Sequence, residues 1–494
     1  MMRSASATAN VSDGWWSGPL AVYSAAAVVV VLAVTWCIFS YGYLEDDAYI
    51  HLDYARSVSQ GLGFTFNGIR ANGDTAPAWV LLLNVPHALG LDWIASAKLL
   101  CALGLVSTIL AVVRLLEELP VRETGAGRLL VIAAVAVTIL NPYFVQWSFS
   151  GMETVTAVGV GLWIIRGTFV GSPTWPRLVS VAALVAVAPL LRPELLLLDA
   201  VAGPVVLWRA WQLTQRHSRL AGVGGVLALG LLMILPLLVW SVYALHEFGA
   251  VVPNTNVAKR GGPLSQLAPR LAAVYFSGFP VTLALVPFIA RPSVLRRIPT
   301  AVLALLLWPL ACILFYLADH TLVQTRYCLL SMPCLSIAVL WLLQRSGRSL
   351  WFRGAVAAML LVSLLSTCLA VVPLVANKAE AARTFAALSA YLRERVPRDE
   401  PIAIYAIGHV AFEGGHSLVD IGGITEPGVV PYLEDPQAIL RWAKGQGAHY
   451  FVGGGSLPEP GATALFTTST RYLGWTFDRA KQQSTEPLVL YKLP

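Results

Sequence analysis

Apolar residues run through this chain in long stretches broken by short polar ones, and the stretches have the length that crosses a bilayer. The first covers 19–40, and others fall at about 94–116, 128–146, 154–170, 180–191, 195–208, 220–245, 271–290, 300–318, 327–343 and 355–376. With the first, that makes about eleven transmembrane helices. The two runs beside Arg192-Pro193-Glu194 are short, which predicts tilted or half-inserted helices, or a pair joined through a kink at the proline.

Two regions break the pattern. The loop 41–93 is long for a connection, and its spacing predicts an interfacial helix over 47–60, with Ile50, Ala55 and Val58 on its apolar side and Gly61 and Gly63 at its end. A second segment, 77–91, reads as re-entrant, because counting it as a span would turn the downstream basic loops outward. After 376 the pattern changes to that of a small α/β domain. A helix rich in Ala, Glu and Arg runs to Arg395 and closes at Pro397. Strand-like runs follow at 402–405, 417–420, 450–453 and 488–492, with a helix at 436–444.

Composition agrees with a membrane protein: 57% of residues are hydrophobic and 12% charged, and mean hydropathy is +0.68. The formal net charge of +7 comes from Lys and Arg scattered in short loops, with no basic stripe, so nucleic acid is not an expected partner. Those basic residues set topology instead. Loops with Arg114, Arg122 and Arg128, Arg166 and Arg177, Arg209, Arg216 and Arg219, Arg291, Arg296 and Arg297, and Arg345, Arg348 and Arg353 read as cytoplasmic. The other set holds Glu45, Asp46, Asp47, Asp53, Asp74, Glu153, Glu194, Glu247 and Asp319 and reads as external. Only Arg3 precedes the first run as a basic residue, and no clear cleavage site follows, so that run is expected to be an uncleaved anchor with the N-terminus cytoplasmic and the C-terminal region outside. Cys37, Cys101, Cys312, Cys328, Cys334 and Cys368 lie in or beside apolar runs without metal-ligand spacing, and free thiols are expected.

The chemistry concentrates at the mouth of the bundle. Glu45-Asp46-Asp47 follows the first span directly, and ionised groups at a membrane face are costly enough to suggest a functional site. The alternative is helix N-terminal capping, which acids also favour. Adjacent helical positions point about 100° apart, so the doublet is expected to split its duties. His51 shares a helical face with Asp47 four residues on. Arg192 and Glu194 read as an ion pair with each other or with another helix. Asp199, inside a run, is expected to pair with a polar neighbour helix.

The block Glu45-Asp46-Asp47-Ala48-Tyr49-Ile50, Tyr54-Ala55-Arg56, Gly61-Leu62-Gly63-Phe64 and Phe66-Asn67 resembles the first outer loop of the GT-C superfamily of membrane glycosyltransferases. It is most similar to the branch with the terminal β-(1→2)-arabinofuranosyltransferases. Ser150-Gly151-Met152-Glu153-Thr154, Arg192-Pro193-Glu194, Pro253-Asn254-Thr255 with Ala258-Lys259, Arg326-Tyr327 and Asp420-Ile421-Gly422-Gly423-Ile424-Thr425 extend the resemblance over most of the chain. The departures are Ala71-Asn72-Gly73-Asp74-Thr75-Ala76-Pro77, where the family often shows an acidic residue and a glycine-aromatic-threonine run, and a shorter chain than the mycobacterial enzymes.

The resemblance implies a polytopic α-helical GT-C catalytic domain over 1–376 and an extracytoplasmic α/β domain over 377–494, in a bacterial inner or plasma membrane. It implies transfer of a sugar, arabinofuranose favoured and mannose or another open, from a polyprenyl-phosphate donor to an extracytoplasmic glycan, glycolipid or protein acceptor. Asp46 or Asp47 would be the base, Asp46 ranked first, and Glu153 would position the acceptor, share a proton or help hold a divalent cation. Lys259 and Arg326 would pair with the donor phosphate, unless they only snorkel to the interface. Arg192, Glu194, Asn254, His51 and Asp420 complete the substrate-binding candidates. Asn254 reads equally as a turn cap, and Asp420 as a strand-end turn residue. The competing class is a lipid-linked sugar flippase or other transporter, which would place polar groups near the midplane on broken helices. A non-catalytic protein of the same fold is a third reading, and convergence of Asp46 with Glu153 on one cavity would argue against it.

Overall fold

The computed structural model describes residues 38–119, 124–214, 219–261, 263–278, 298–345, 349–454, 458–471 and 487–494, with 27, 31, 35 and 36 beside them. Among the described residues, five helices are long and apolar enough to cross a bilayer: Trp93–Glu117, Leu195–Thr214, Gly222–Phe248, Thr300–Ala318 and Phe352–Leu369. Leu130–Ile139, Thr154–Phe169, Trp175–Leu191 and Met332–Arg345 are apolar and shorter. The expected span 19–40 lies almost wholly outside the described residues, as does the second half of 271–290, whose start belongs to the helix Leu264–Gly278.

Several apolar runs break where the sequence suggests continuity. The run 128–146 divides into the helices Thr124–Ile139 and Pro142–Trp147. Asn141 restarts it, its side-chain oxygen accepting from the N–H groups of Tyr143 and Phe144 at 3.0 and 3.3 Å, with Pro142 at the first helical position. The run 327–343 likewise opens as the short helix Thr325–Leu329 and resumes at Met332. The runs around Arg192 are longer than expected, and Arg192 is the extended residue that ends the first of them. The last span runs from Ser349–Ser366 through a π-helical turn, Thr367–Val371, into Val372–Arg395, so one helical path crosses position 376 into the polar region.

Pro77–Ala88 is a 12-residue helix, too short to span a bilayer at about 1.5 Å per residue. It buries Trp79, Val80 and Leu83 against its neighbours and leaves Leu81, Val85 and Leu89 exposed. A buried lysine ties this region together. Lys98, on Trp93–Glu117, donates to the carbonyls of Tyr43 and Phe149 at 2.5 Å each and of Ser40 at 3.2 Å. A lysine 3% exposed needs such partners, and here they join three separate segments.

Strands β1 (Thr65–Phe66) and β2 (Ile69–Arg70) form a small hairpin in the first loop. The C-terminal region builds a five-stranded sheet in the order β4-β3-β5-β7-β6. Its strands are β3 (Ile402–Ile404), β4 (Leu418–Asp420), β5 (Tyr450–Gly453), β6 (Thr463–Arg471) and β7 (Pro487–Lys492). β3 is parallel to β4 and β5, and β7 is antiparallel to β5 and β6. Strand β3, flanked by β4 and β5, is buried along its length, the mark of a strand covered on both faces. The helix Ile407–Gly414 makes the crossover from β3 to β4 and rests on both Val372–Arg395 and Asp46–Ser59. The sheet is thereby seated on the first loop.

Candidate active site

Asp46–Ser59 begins with the acidic doublet, and its start lies against the turn 150–153. The Glu45 N–H donates to the Ser150 carbonyl at 3.1 Å. Gly151 has φ +84°, and a Cβ there would sit 2.9 Å from the Ala48 Cβ. A side chain at 151 would push the doublet helix away, which gives the Ser-Gly-Met-Glu run a physical purpose.

The doublet divides sharply. The Asp47 carboxylate is 2.5 Å from the Arg326 guanidinium and 3.7 Å from Lys259 Nζ. Burial alone would raise its pKa, but these two cations outweigh burial and hold it well below the usual carboxylate range. The Arg326 guanidinium also lies over Trp147 and Tyr327, at 5.6 and 5.3 Å from the ring centroids. The helix breaks at 141 and 330 put these aromatic residues and Arg326 at the bundle mouth.

Asp46 points elsewhere. Its two oxygens accept from the backbone N–H groups of Gly408 and His409 at 3.1 and 2.9 Å. Burial raises its pKa to about 7 against the opposing effect of those amides. Glu45 takes yet another direction, accepting from the Tyr43 hydroxyl at 2.5 Å and pairing with Lys378.

Beyond Asp47 lies a buried chain of alternating charge. His51 stands between Asp74, 2.6 Å from Nδ1, and Glu153, 3.3 Å from Nε2. Burial would lower the His51 pKa, yet the two carboxylates raise it to about 10. Glu153 in turn is 2.7 Å from Arg192, which grips Glu194 through two hydrogen bonds of 2.8 and 3.2 Å. Glu194 also accepts from the Tyr316 hydroxyl at 3.2 Å. Burial would raise Glu153, but the His51 hydrogen bond and the Arg192 charge bring it down to about 2.

Two cavities meet at Asp47. The first is lined by the ion chain with Asp47, Lys259 and Arg326, and by Phe315 on the span Thr300–Ala318. The second, the wider, opens between the helices and the C-terminal sheet, past Trp147, Gln324, Tyr405 and Gly453. Asp47, Lys259, Arg326 and Ile424 line both.

Of the residues singled out in the sequence, Asp47, Glu153, Arg192, Glu194, His51, Lys259 and Arg326 come together in the first cavity. Asp46 does not: it lines the second cavity, so the convergence of Asp46 with Glu153 expected of an enzyme is not met, and Glu153 shares its cavity with Asp47 instead. Asn254 opens the short helix Asn254–Ala258 and donates its N–H to the Asn72 carbonyl at 2.7 Å, while Thr255 and Asn256 reach the cavity. Asp420 closes a turn, accepting from the N–H groups of Gly422 and Thr425 at 2.8 and 2.6 Å, and lines neither cavity. Asp199, expected to pair across helices, is buried, and neither of its oxygens has a hydrogen-bond partner among the described residues. Asp74, Tyr316 and Tyr327 belong to the site without having been singled out for it. Their signal was weak, since each needs the fold to bring it near His51 or Arg192.

Among the described residues no three His, Cys, Asp or Glu side chains are grouped as metal ligands. The cavity carboxylates are each held by a cation of the chain itself: Asp47 by Arg326, Glu153 and Glu194 by Arg192, Asp74 by His51, Asp319 by Arg260. This donor set does not fit the divalent cation considered for Glu153.

No protein-family model matches the sequence, and no curated protein matches it. Solved structures do. ArnT from Cupriavidus metallidurans bound to undecaprenyl phosphate matches over 95% of this chain and 98% of its own, with 13% identity and a TM-score of 0.57. The arabinofuranosyltransferase AftD from Mycobacteria matches over 96% of this chain and 40% of its own, with 15% identity and a TM-score of 0.54. The apo oligosaccharyltransferase from Archaeoglobus fulgidus matches over 89% and 70%, with 13% identity and a TM-score of 0.50. With its apolar helices, this chain is an integral membrane protein with the fold of the GT-C glycosyltransferases.

Proposed function

We propose that this protein is a membrane glycosyltransferase that takes a sugar from a polyprenyl-phosphate donor, arabinofuranose favoured with mannose or another open, and passes it to an extracytoplasmic glycan, glycolipid or protein acceptor. The observation that carries the reading is the Asp47–Arg326–Lys259 group standing where two cavities meet. A transferase needs two substrates to approach one point from different sides, with a base and an anion site there. The first cavity, bordered by a residue of a membrane span, suits the lipid-linked donor. The second, walled by the C-terminal sheet, suits the glycan acceptor. On this reading the sheet and the acids face the outer side of a bacterial plasma or inner membrane, a side the distribution of basic loops supports.

Arg326 and Lys259 would receive the donor phosphate. As the bond from the anomeric carbon to the phosphate oxygen breaks, its electron pair goes to the phosphate, beside these cations. The acceptor oxygen then forms the new bond to that carbon, and its proton goes to Asp47. Free of substrate, Asp47 is a poor base because the two cations depress its pKa. The donor's phosphodiester, a monoanion, draws those cations toward itself, so the carboxylate regains proton affinity when the donor is in place, and the second negative charge that the phosphate gains as the bond breaks is met by the same two cations. His51, held charged between Asp74 and Glu153, and Arg192, held between Glu153 and Glu194, would orient the sugar hydroxyls and steady the carboxylates.

A flippase has less support, because the charges gather at helix ends and beside the sheet rather than along a path through the bundle. The deciding experiment offers purified protein a short-chain polyprenyl-phosphoryl arabinofuranose, with the mannosyl analogue beside it, and an arabinan oligosaccharide. Sugar transfer to the oligosaccharide supports the reading and names the sugar. Donor binding without transfer from either analogue, together with donor translocation in vesicles, would replace it with the flippase.

A further inference from the structure

Asp46 is tied to a segment more than 350 residues further along the chain. The helix Ile407–Gly414 has Ala406 at its N-cap, which offers no side-chain acceptor. Its first-turn amides therefore need a partner from elsewhere. Asp46 supplies it, one oxygen on the Gly408 N–H and the other on the His409 N–H. The fit is close enough to dictate the partner, since a Cβ at Gly408 would run into the Asp46 carbonyl oxygen. Around this contact the two helices are zipped by side chains. The Tyr49 ring meets the edge of His409 at 4.6 Å. Arg56 donates to the Phe412 carbonyl at 2.8 Å and lies over its ring.

Tyr405 and Ala406, just ahead of the capped helix, line the second cavity together with Asp46 and Asp47. From this geometry we infer that Asp46 is a positioning residue: as the remote N-cap of Ile407–Gly414, it clamps the C-terminal sheet onto the doublet helix and sets the distance between Asp47 and the Tyr405–Ala406 wall. The clamp stands on structure alone. Its effect on transfer rests on the glycosyltransferase reading.

Hydrogen exchange on the full-length protein separates the two. Asp46→Ala is expected to speed exchange at Gly408 and His409 by about tenfold, the effect of losing one cap. Exchange in Pro436–Gly445, capped by its own Asp435, should not change. Gly408→Ala, with Asp46 intact, should reproduce the loss of protection. Asp46→Asn keeps one acceptor oxygen and should retain part of it. In the transfer assay Asp46→Asn should stay within about tenfold of wild type and Asp46→Ala should raise the acceptor KM more than it lowers kcat, whereas removing a base costs about 10²- to 10⁴-fold. Unchanged exchange at 408 and 409 in both Asp46→Ala and Gly408→Ala would overturn the clamp. So would an Asp46→Asn protein with protected amides and no transfer, which would make Asp46 the base. If wild type transfers nothing, the exchange result still decides.

Discussion

The cavity at Asp47 and the seam at Asp46 hold the same functional group in opposite ways. At the seam the carboxylate faces backbone amides, which belong to a helix and cannot be drawn off by a ligand without undoing it. In the cavity the carboxylate faces a guanidinium and an ammonium, which are themselves ligands for phosphate. The first arrangement is a fixture and the second can be exchanged. Neighbouring aspartates can thus serve architecture and chemistry, because a helix points them about 100° apart.

The sharpest way to break this contrast is Asp47→Asn. Loss of about 10²- to 10⁴-fold in transfer rate is expected, the range for a removed general base. Retention of near-normal transfer would leave the two aspartates alike. Next comes Arg192→Met, which leaves Glu194 without a cation and Glu153 with His51 alone in a buried site. A destabilisation of about 3–5 kcal/mol is expected for breaking a buried pair from one side, read as a fall in apparent unfolding temperature in detergent; an unchanged temperature would show that water relieves the stranded acids.

Arg326→Lys keeps the charge but not the fork, so the donor KM is expected to rise by about tenfold with a smaller change in kcat. An equal fall in kcat with KM unmoved would place Arg326 on the transition state alone. The pH dependence is subtler. His51 is raised from 6.5 to about 10 in the folded protein, so its contribution to stability is complete below about pH 6.5 and fades as pH rises through about 10. His51→Gln should flatten that decline in unfolding temperature between pH 6.5 and 10; an unaltered slope would mean that His51 is neutral where it sits. The smallest effect is expected from Tyr405→Ala. Tyr405 is 70% exposed and edges the second cavity, and losing one such aromatic contact should raise the acceptor KM by about threefold to tenfold. A change in donor KM instead would exchange the roles of the cavities.

Much of this was legible from residue order. The C-terminal strands declare themselves by short apolar runs between turn residues, and four of the five follow that pattern closely. β6 escaped notice because Thr463–Arg471 is mostly polar and pairs at a sheet edge. The helix breaks at Asn141 and around Leu330 were missed because hydropathy averages over a window, while one capping asparagine or one restart acts at a single residue. The site acids and cations stood out because charge is rare in so apolar a chain. Their partners did not. That Asp46 turns toward Gly408 and Asp47 toward Arg326 depends on where distant segments dock, which no local pattern encodes. Lys98, a lone cation inside an apolar helix, was a visible signal whose meaning needed the three carbonyls it gathers.

The exchange of cations between Asp47 and a phosphate is the step on which the rest depends, and equilibrium binding measures it without any turnover. Short-chain polyprenyl phosphate, carrying no sugar, is titrated into wild type and into Asp47→Asn in the same detergent and salt. If the carboxylate competes with phosphate for Arg326 and Lys259, the variant binds the lipid phosphate more tightly, by about twofold to fivefold, the worth of one freed ion pair at a partly exposed site. Equal or weaker binding by the variant would show that the phosphate does not go to these cations, and the assignment of Asp47 as a base uncovered by the donor would be wrong.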